Sequence, residues 1–168
     1  MNLRLLSLVG ACLLVAACTQ TPSSTTTTST GNLRGPGTGT GMGVSSSTIA
    51  PGTKQDFVQN VGDRVFFALN RSDISAEGRA TLQRQAQWLQ RYSNVTVTVE
   101  GHCDDRGTRE YNLALGERRA AAAKRILVAL GVAPNRISII SYGKERPIVV
   151  GDNPQAWAQN RVAITVIN

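Results

Sequence analysis

The sequence is poor in the residues on which most metal sites and many catalytic sites depend. Its 168 residues include a single histidine and three cysteines. Two of those cysteines, Cys12 and Cys18, lie in the first 18 residues, so Cys103 has no partner for an internal disulfide. His102 precedes Cys103 directly, and adjacent strand residues point to opposite faces, so the two are poorly placed to share an ion. We therefore expect no metal site and no cofactor.

Aromatic residues are also scarce, at 5% of the chain, although the formal net charge is +7. Trp88 and Trp157 are interpreted as packing residues, since no series of aromatic residues is available to stack sugars or single-stranded nucleic acid. A positively charged chain can bind nucleic acid, but the N-terminal signal described below predicts export, and an exported protein does not encounter nucleic acid. The expected partner of this charge is an anionic envelope surface, unless the charge only aids solubility.

One long apolar run is present, at the N-terminus, and it is typical of a targeting signal. Arg4 precedes the run from Leu5 to Ala17, which is too short and too early for a spanning helix. The run ends in small residues and Cys18 follows it directly, in a pattern that resembles the lipobox of bacterial lipoproteins. The pattern predicts a signal peptide over 1–17 and lipid on Cys18; the alternative is an ordinary secretory peptide. Thr19, in place of aspartate, favours the outer membrane.

Composition divides the remainder into a tether and a domain. Residues 18–53 are rich in threonine, serine and glycine, and cannot bury enough apolar surface to offset the entropy of ordering. As a flexible coil this segment would span roughly 30–35 Å. Residues 54–168 are long enough for one domain with its own core.

The domain has the alternation of a mixed α/β fold. Helix signals include an N-cap at Ser75 and a C-terminal glycine at Gly131, while Gly116 predicts a break within the second helix. The order βαβαβ(β) predicts an α/β (α+β) two-layer sandwich with helices on one face of a mixed sheet. The predicted strands are 64–69, 95–99, 136–142 and 162–167, and the predicted helices are 76–92, 109–130 and 153–159.

Several spaced motifs carry a family resemblance over about residues 64–167. They resemble the OmpA-like peptidoglycan-binding domains, in particular those of the peptidoglycan-associated lipoproteins. The matching segments, in chain order, are 101–108 (GHCDDRGT), 110–112 (EYN), 115–120 (LGERRA), 139–145 (IISYGKE) and 160–162 (NRV).

The resemblance implies that Asp104 and Arg119 hold the free end of diaminopimelate in the peptidoglycan stem peptide. That end carries an ammonium and a carboxylate. The Asp104 carboxylate can accept hydrogen bonds from the ammonium, and the Arg119 guanidinium can donate two parallel hydrogen bonds to the ligand carboxylate. Thr108, Asn112 and Asn70 complete the predicted peptidoglycan-binding set. The alternative is that Asp104 and Arg119 only pair with each other.

Two further features of the sequence near this set are informative. The first-strand contacts depart from the family pattern, since alanine stands at 68 and asparagine at 70. Arg161, just before the last strand, is expected to support the pocket or to pair with an acid.

The resemblance further implies a lipoprotein that tethers the outer membrane to peptidoglycan without catalysis. It would belong to the Tol–Pal system, with TolB as a partner and a role in cell division. One alternative is an OmpA-like envelope lipoprotein outside the Tol system. The other is a cell-wall hydrolase, but Asp104 and Asp105 are adjacent with arginines nearby, which opposes general-acid work, and Cys103 has only His102 as an evident base.

Overall fold

The computed structural model describes residues 49–168. The predicted signal peptide, the predicted lipidation site at Cys18 and nearly all of the predicted tether lie outside the described residues. Among the helices of residues 49–168, none combines the length and the apolar character needed to cross a bilayer.

Four strands form one mixed sheet. They are β1 (Arg64–Phe66), β2 (Val97–His102), β3 (Ile137–Gly143) and β4 (Val162–Ile167), and their spatial order is β1-β4-β2-β3. The last strand, β4, lies between β1 and β2 and runs antiparallel to both, whereas β2 and β3 are parallel. The predicted mixed sheet with helices is confirmed.

The helices begin and end at the residues that their capping chemistry favours. They are α1 (Lys54–Asp56), continued by a π-helical turn (Phe57–Val61), then α2 (Ala76–Arg91), α3 (Arg109–Ala129) and α4 (Pro154–Asn160), with a 3₁₀ turn at Pro134–Arg136. Ser75 Oγ accepts a hydrogen bond from the Gly78 amide at the start of α2. Gly131 adopts a positive φ of 94° after α3, as its predicted C-terminal role requires.

The core lies between the sheet and the two long helices. Leu82 and Leu89 of α2 and Leu127 of α3 are fully buried, and they belong to the same hydrophobic cluster as Val97 and Val99 of β2. Burial of large aliphatic side chains at this helix–sheet contact is the main source of the fold's stability.

Two predicted strands had wrong boundaries, and both differences matter for the site. The first strand stops at Phe66 rather than Leu69, because the chain turns: the Arg71 amide donates to the Ala68 carbonyl, and Asn70 adopts a φ of 55°. The second strand starts later than predicted and continues through His102. The turn before α3 therefore begins only at Cys103.

Gly116 does not break the second long helix, contrary to the prediction. α3 is continuous through it, and the residue is instead a packing position against β2. A Cβ atom at 116 would lie 2.8 Å from the Gly101 carbonyl oxygen and 2.4 Å from Ser141 Oγ. The absence of side chains at 101 and 116 lets α3 approach β2 closely, directly below the Cys103–Thr108 turn.

Candidate ligand-binding site

The turn between β2 and α3 is built by residues that hold its own backbone. Thr108 Oγ1 caps α3 by accepting from the Tyr111 amide at 3.2 Å. The Asn112 side chain is buried and donates to the carbonyls of Arg106 at 2.8 Å and Thr108 at 3.2 Å. Gly107 has a φ of 92°, which a residue with a side chain rarely adopts. Thr108 and Asn112, both predicted site residues, thus fix the shape of this turn.

Arg119 lies beneath the turn and is completely buried. Its Nε donates to the Arg71 carbonyl at 2.9 Å, its Nη1 to the His102 carbonyl at 2.8 Å and its Nη2 to the Ala68 carbonyl at 3.2 Å. Burial lowers the pKa of Arg119, while the thiol and the carboxylate of the turn, Cys103 and Asp104, oppose that shift. This guanidinium therefore ties the segment after β1 to the end of β2.

Asp104 lies at the same end of the sheet, between two other arginines. Its Oδ2 accepts from Arg106 and, at 3.2 Å, from Arg161 Nη1. Arg161 also donates from Nε to the Phe67 carbonyl at 3.1 Å. Of the two roles expected for Arg161, to support the pocket or to pair with an acid, the pairing with an acid is confirmed. Within the part of the chain that the structure describes, Asp104 Oδ1 has no hydrogen-bond partner.

Asp104 and Arg119 are neighbours but not an ion pair. The carboxylate is bound to Arg106 and Arg161, and the buried guanidinium donates to backbone carbonyls. The alternative interpretation, in which Asp104 and Arg119 serve only to pair with each other, does not describe this geometry. Three arginines surround one carboxylate, so this end of the domain favours anionic groups.

Asn70 lies at the edge of an open cavity next to this cluster. The cavity has a volume of about 260 Å³ and is lined by Leu69, Asn70, Arg106, Gly107 and Tyr111. The Leu69 and Tyr111 side chains are partly exposed there. The cavity thus combines apolar walls, an amide and a guanidinium.

Cys103 and His102 are placed as structural groups. Burial raises the pKa of the Cys103 thiol, whose Sγ donates to the Asn112 carbonyl and accepts from Arg119 Nη1, both at 3.3 Å. Burial also lowers the pKa of His102, whose Nδ1 donates to the Arg146 carbonyl at 3.0 Å. No group of three potential metal ligands occurs among residues 49–168.

Sequence reasoning missed the contact between Arg106 and Trp157. The Arg106 guanidinium carbon lies 4.3 Å from the centroid of the Trp157 ring, so the tryptophan of α4 is a platform as well as a packing residue. Arg106 belongs to the matching segment 101–108, so the sequence did indicate this residue. Nothing in the sequence pointed to Trp157, because only the folded chain brings α4 beside the turn.

Known proteins share both the sequence pattern and this fold. The OmpA family model matches residues 66–161. The peptidoglycan-associated lipoprotein of Brucella melitensis is 55% identical over 125 residues, which cover 74% of this chain and 74% of that protein. The peptidoglycan-associated lipoprotein of Agrobacterium fabrum is 56% identical over 122 residues, covering 73% and 69%.

Solved structures of related proteins have a similar fold. The crystal structure of the peptidoglycan-associated lipoprotein from Burkholderia pseudomallei matches with a TM-score of 0.65 and 35% identity, covering 69% of this chain and all of that chain. The C-terminal domain of Helicobacter pylori MotB matches with a TM-score of 0.59 and 25% identity, covering 63% and 84%.

The chain therefore belongs to the OmpA family. Within that family it is a homologue of the peptidoglycan-associated lipoproteins, which it resembles over most of its length.

Proposed function

We propose that this protein is a peptidoglycan-binding lipoprotein of the cell envelope. The observation that carries the proposal is a buried carboxylate, Asp104, set among three arginines beside an open cavity. Its Oδ1 is available to an ammonium, and the positive surroundings favour a carboxylate on the same ligand. The free end of diaminopimelate carries both groups, and the relatives are named for their association with peptidoglycan.

In this proposal Asp104 accepts hydrogen bonds from the ligand ammonium, and Arg119 supports the part of the site that receives the ligand carboxylate. Arg119 contributes its charge and also fixes the backbone on both sides of the cavity, through its bonds to Ala68, Arg71 and His102. Asn70 lies at the cavity edge, and Thr108 and Asn112 hold the turn that carries Asp104.

The test compares two adjacent aspartates in a pull-down on purified sacculi. Asp104→Asn keeps the shape of the side chain and removes its charge. Loss of one partner from a buried charge pair typically costs about 2–5 kcal/mol in binding, or roughly 30-fold or more. Asp105→Asn is the matched control, since Asp105 is exposed and carries the same charge. Equal binding by the two folded variants would refute the role of Asp104.

We further propose that binding occurs without catalysis. The Cys103 thiol forms hydrogen bonds with the Asn112 carbonyl and with Arg119, and not with His102. Burial raises the pKa of Cys103, so the thiol stays protonated at neutral pH. A protonated, buried thiol is a weak nucleophile. Incubation of the protein with sacculi should release no soluble fragments; released muropeptides would contradict this part of the proposal.

The finer assignment is an outer-membrane lipoprotein of the Tol–Pal system, anchored through Cys18 and acting with TolB in envelope integrity and cell division. Its support is the resemblance to peptidoglycan-associated lipoproteins and the lipobox at Cys18. Capture of TolB by the purified protein, together with fractionation into the outer membrane, would support it. Peptidoglycan binding without TolB capture would instead favour an OmpA-like lipoprotein outside the Tol system.

A further inference from the structure

The chain enters the domain at the end opposite to the candidate site. Gly52 packs against Tyr92, which ends α2: a Cβ atom at Gly52 would lie 2.7 Å from the Tyr92 ring. Asp56 Oδ2 accepts hydrogen bonds from the Gly52 amide and from Trp88 Nε1, both at 2.8 Å. The strand β2 begins shortly after α2, and its six residues extend roughly 20 Å before the turn that carries the site. The entry point and the site therefore lie at opposite ends of the sheet.

A cavity of about 230 Å³ lies beside this entry point. Its walls include two guanidinium groups and two carboxamides but no carboxylate, and its lining residues are Asn60, Val61, Arg84, Gln87, Trp88 and Arg91. Arg84 is held in the wall, because its Nε donates to the Val61 carbonyl and its Nη2 to Thr81 Oγ1, both at 3.1 Å. Among residues 49–168, neither Arg84 nor Arg91 forms a salt bridge. The cavity thus presents two positive charges to an incoming anion.

The chain that leads into this cavity adds positive charge and no negative charge. From residue 18 to residue 55 the sequence contains Arg34 and Lys54 and no acid. The first acid is Asp56, whose carboxylate already accepts three hydrogen bonds, from the Gly52 amide, Trp88 and Asn60. Lys54 is exposed, and so is Val58 in the π-helical turn. An excess of exposed cations beside an exposed apolar side chain suits contact with anionic lipid headgroups.

We propose that the cavity between the π-helical turn and α2 binds the phosphate of an anionic phospholipid, so that the domain docks on the leaflet that anchors it. The inference goes beyond peptidoglycan binding and rests on the lipid anchor at Cys18 in the proposed function. That anchor would hold the entry end of the domain within the predicted span of roughly 30–35 Å from the leaflet. Arginine side chains bind phosphate oxygens through paired hydrogen bonds.

Confinement by the anchor makes a weak contact sufficient. Docking of an anchored domain is an intramolecular step, so the leaflet acts at a high effective concentration. Each arginine near an anionic leaflet contributes about fivefold to binding. Docking through the entry end turns the opposite end, with Asp104 and Arg119, away from the membrane. The domain would then present its candidate peptidoglycan site toward the cell wall.

The experiment couples the chain from Cys18 onwards to vesicles, through the Cys18 thiol and a maleimide-bearing lipid. Coupling is selective because Cys103 is buried. The vesicles contain phosphatidylglycerol and phosphatidylethanolamine, or phosphatidylcholine alone, together with dansyl-labelled headgroups that accept energy from tryptophan. Docking brings Trp88, which lines the cavity, to the headgroups. Energy transfer should be strong on the anionic vesicles at about 0.1 M salt, weak on the neutral vesicles, and lost at about 1 M salt.

Paired variants locate the contact, each compared on anionic and neutral vesicles. Arg84→Gln combined with Arg91→Gln should lower the ratio of docked to undocked chains about 25-fold. Arg109→Gln combined with Arg146→Gln is the matched control, since both arginines are exposed and lie at the other end of the sheet, where α3 begins and β3 has ended. Salt screens charges at that distance, so the control should keep the wild-type ratio. Arg91→Glu alone should lower the ratio by a similar factor, and it serves as the test if loss of the Arg84 hydrogen bonds unfolds the domain.

Two vesicle results would overturn the inference: equal transfer on anionic and neutral vesicles, or equal loss of transfer in the two double variants. The second result would mean that positive charge anywhere on the domain suffices. A pull-down on sacculi separates this inference from the proposed function. A chain that binds sacculi without docking refutes only the docking, and a chain that docks without binding sacculi refutes only the peptidoglycan proposal. Absence of palmitate labelling at Cys18 in cells would also overturn the docking, since no anchor would then hold the domain near a leaflet.

Discussion

Replacing Arg119 by methionine should destabilise the domain strongly, because the guanidinium holds three backbone carbonyls. The bond to the His102 carbonyl is buried, and the bonds to Ala68 and Arg71 are partly buried. A buried acceptor left without a donor costs about 1–3 kcal/mol, and each partly buried bond contributes about 1 kcal/mol. Removing a desolvated charge offsets some of this loss, so we expect a net destabilisation of about 3–4 kcal/mol.

Thermal unfolding followed by circular dichroism measures this effect directly. For a domain of this size, the loss corresponds to a fall in melting temperature of about 10–20 °C. Arg118→Met is the matched control, since Arg118 is the preceding residue of α3 and is exposed; it should melt like wild type. A melting temperature for Arg119→Met within about 3 °C of wild type would refute the argument that these carbonyls depend on the guanidinium.

Three other predictions concern the packing at Gly116, the buried imidazole of His102 and the predicted lipidation site at Cys18. Gly116→Ala should lower the free energy of unfolding in urea titrations by about 1–3 kcal/mol, because the new methyl group meets the Gly101 carbonyl; an unchanged free energy of unfolding would contradict the close approach. Burial lowers the pKa of His102 below the usual value of a histidine, so the folded state resists protonation there. Stability should therefore be full above about pH 6.5 and fall as the pH drops below it; His102→Asn should remove this dependence, and an identical pH profile would argue against it. Cys18→Ala should abolish palmitate labelling and membrane fractionation, and a variant that still labels would disprove the lipidation site.

The long helices were predictable because each carries its own signals. Ser75 and Gly131 mark the start of α2 and the end of α3, and the apolar spacing of α2 matches the face that it buries. The end of β1 was not predictable, since it depends on the left-handed conformation of Asn70, which few sequence patterns encode. Gly116 was misjudged because a glycine that breaks a helix and a glycine that packs against a strand look the same in one sequence.

The site was predictable only in part, for a related reason. Asp104 and Arg119 belong to one contiguous segment, and a strand-to-helix junction brings such residues together locally. The contact of Arg106 with Trp157 and the bond of Asp104 to Arg161 arise from the insertion of β4 beside β2, which carries α4 to the turn. The expectation for Arg161 came from the family resemblance and not from the pattern of the chain.

The central place of β4 has a consequence for how the domain folds. Arg64 of β1 pairs with Ile164 of β4, almost the entire length of the domain away, and β4 also supplies the antiparallel neighbour of β2. Contacts between such distant segments slow folding, because the chain must close a long loop before they form. While β4, the last strand in the chain, is held back from the rest of the domain, β1 lacks the strand it pairs with among the described residues. Only the parallel pair of β2 and β3 can then assemble. A chain threaded through a membrane from its N-terminus would stay unfolded in transit for that reason, and its sheet would close only on the far side.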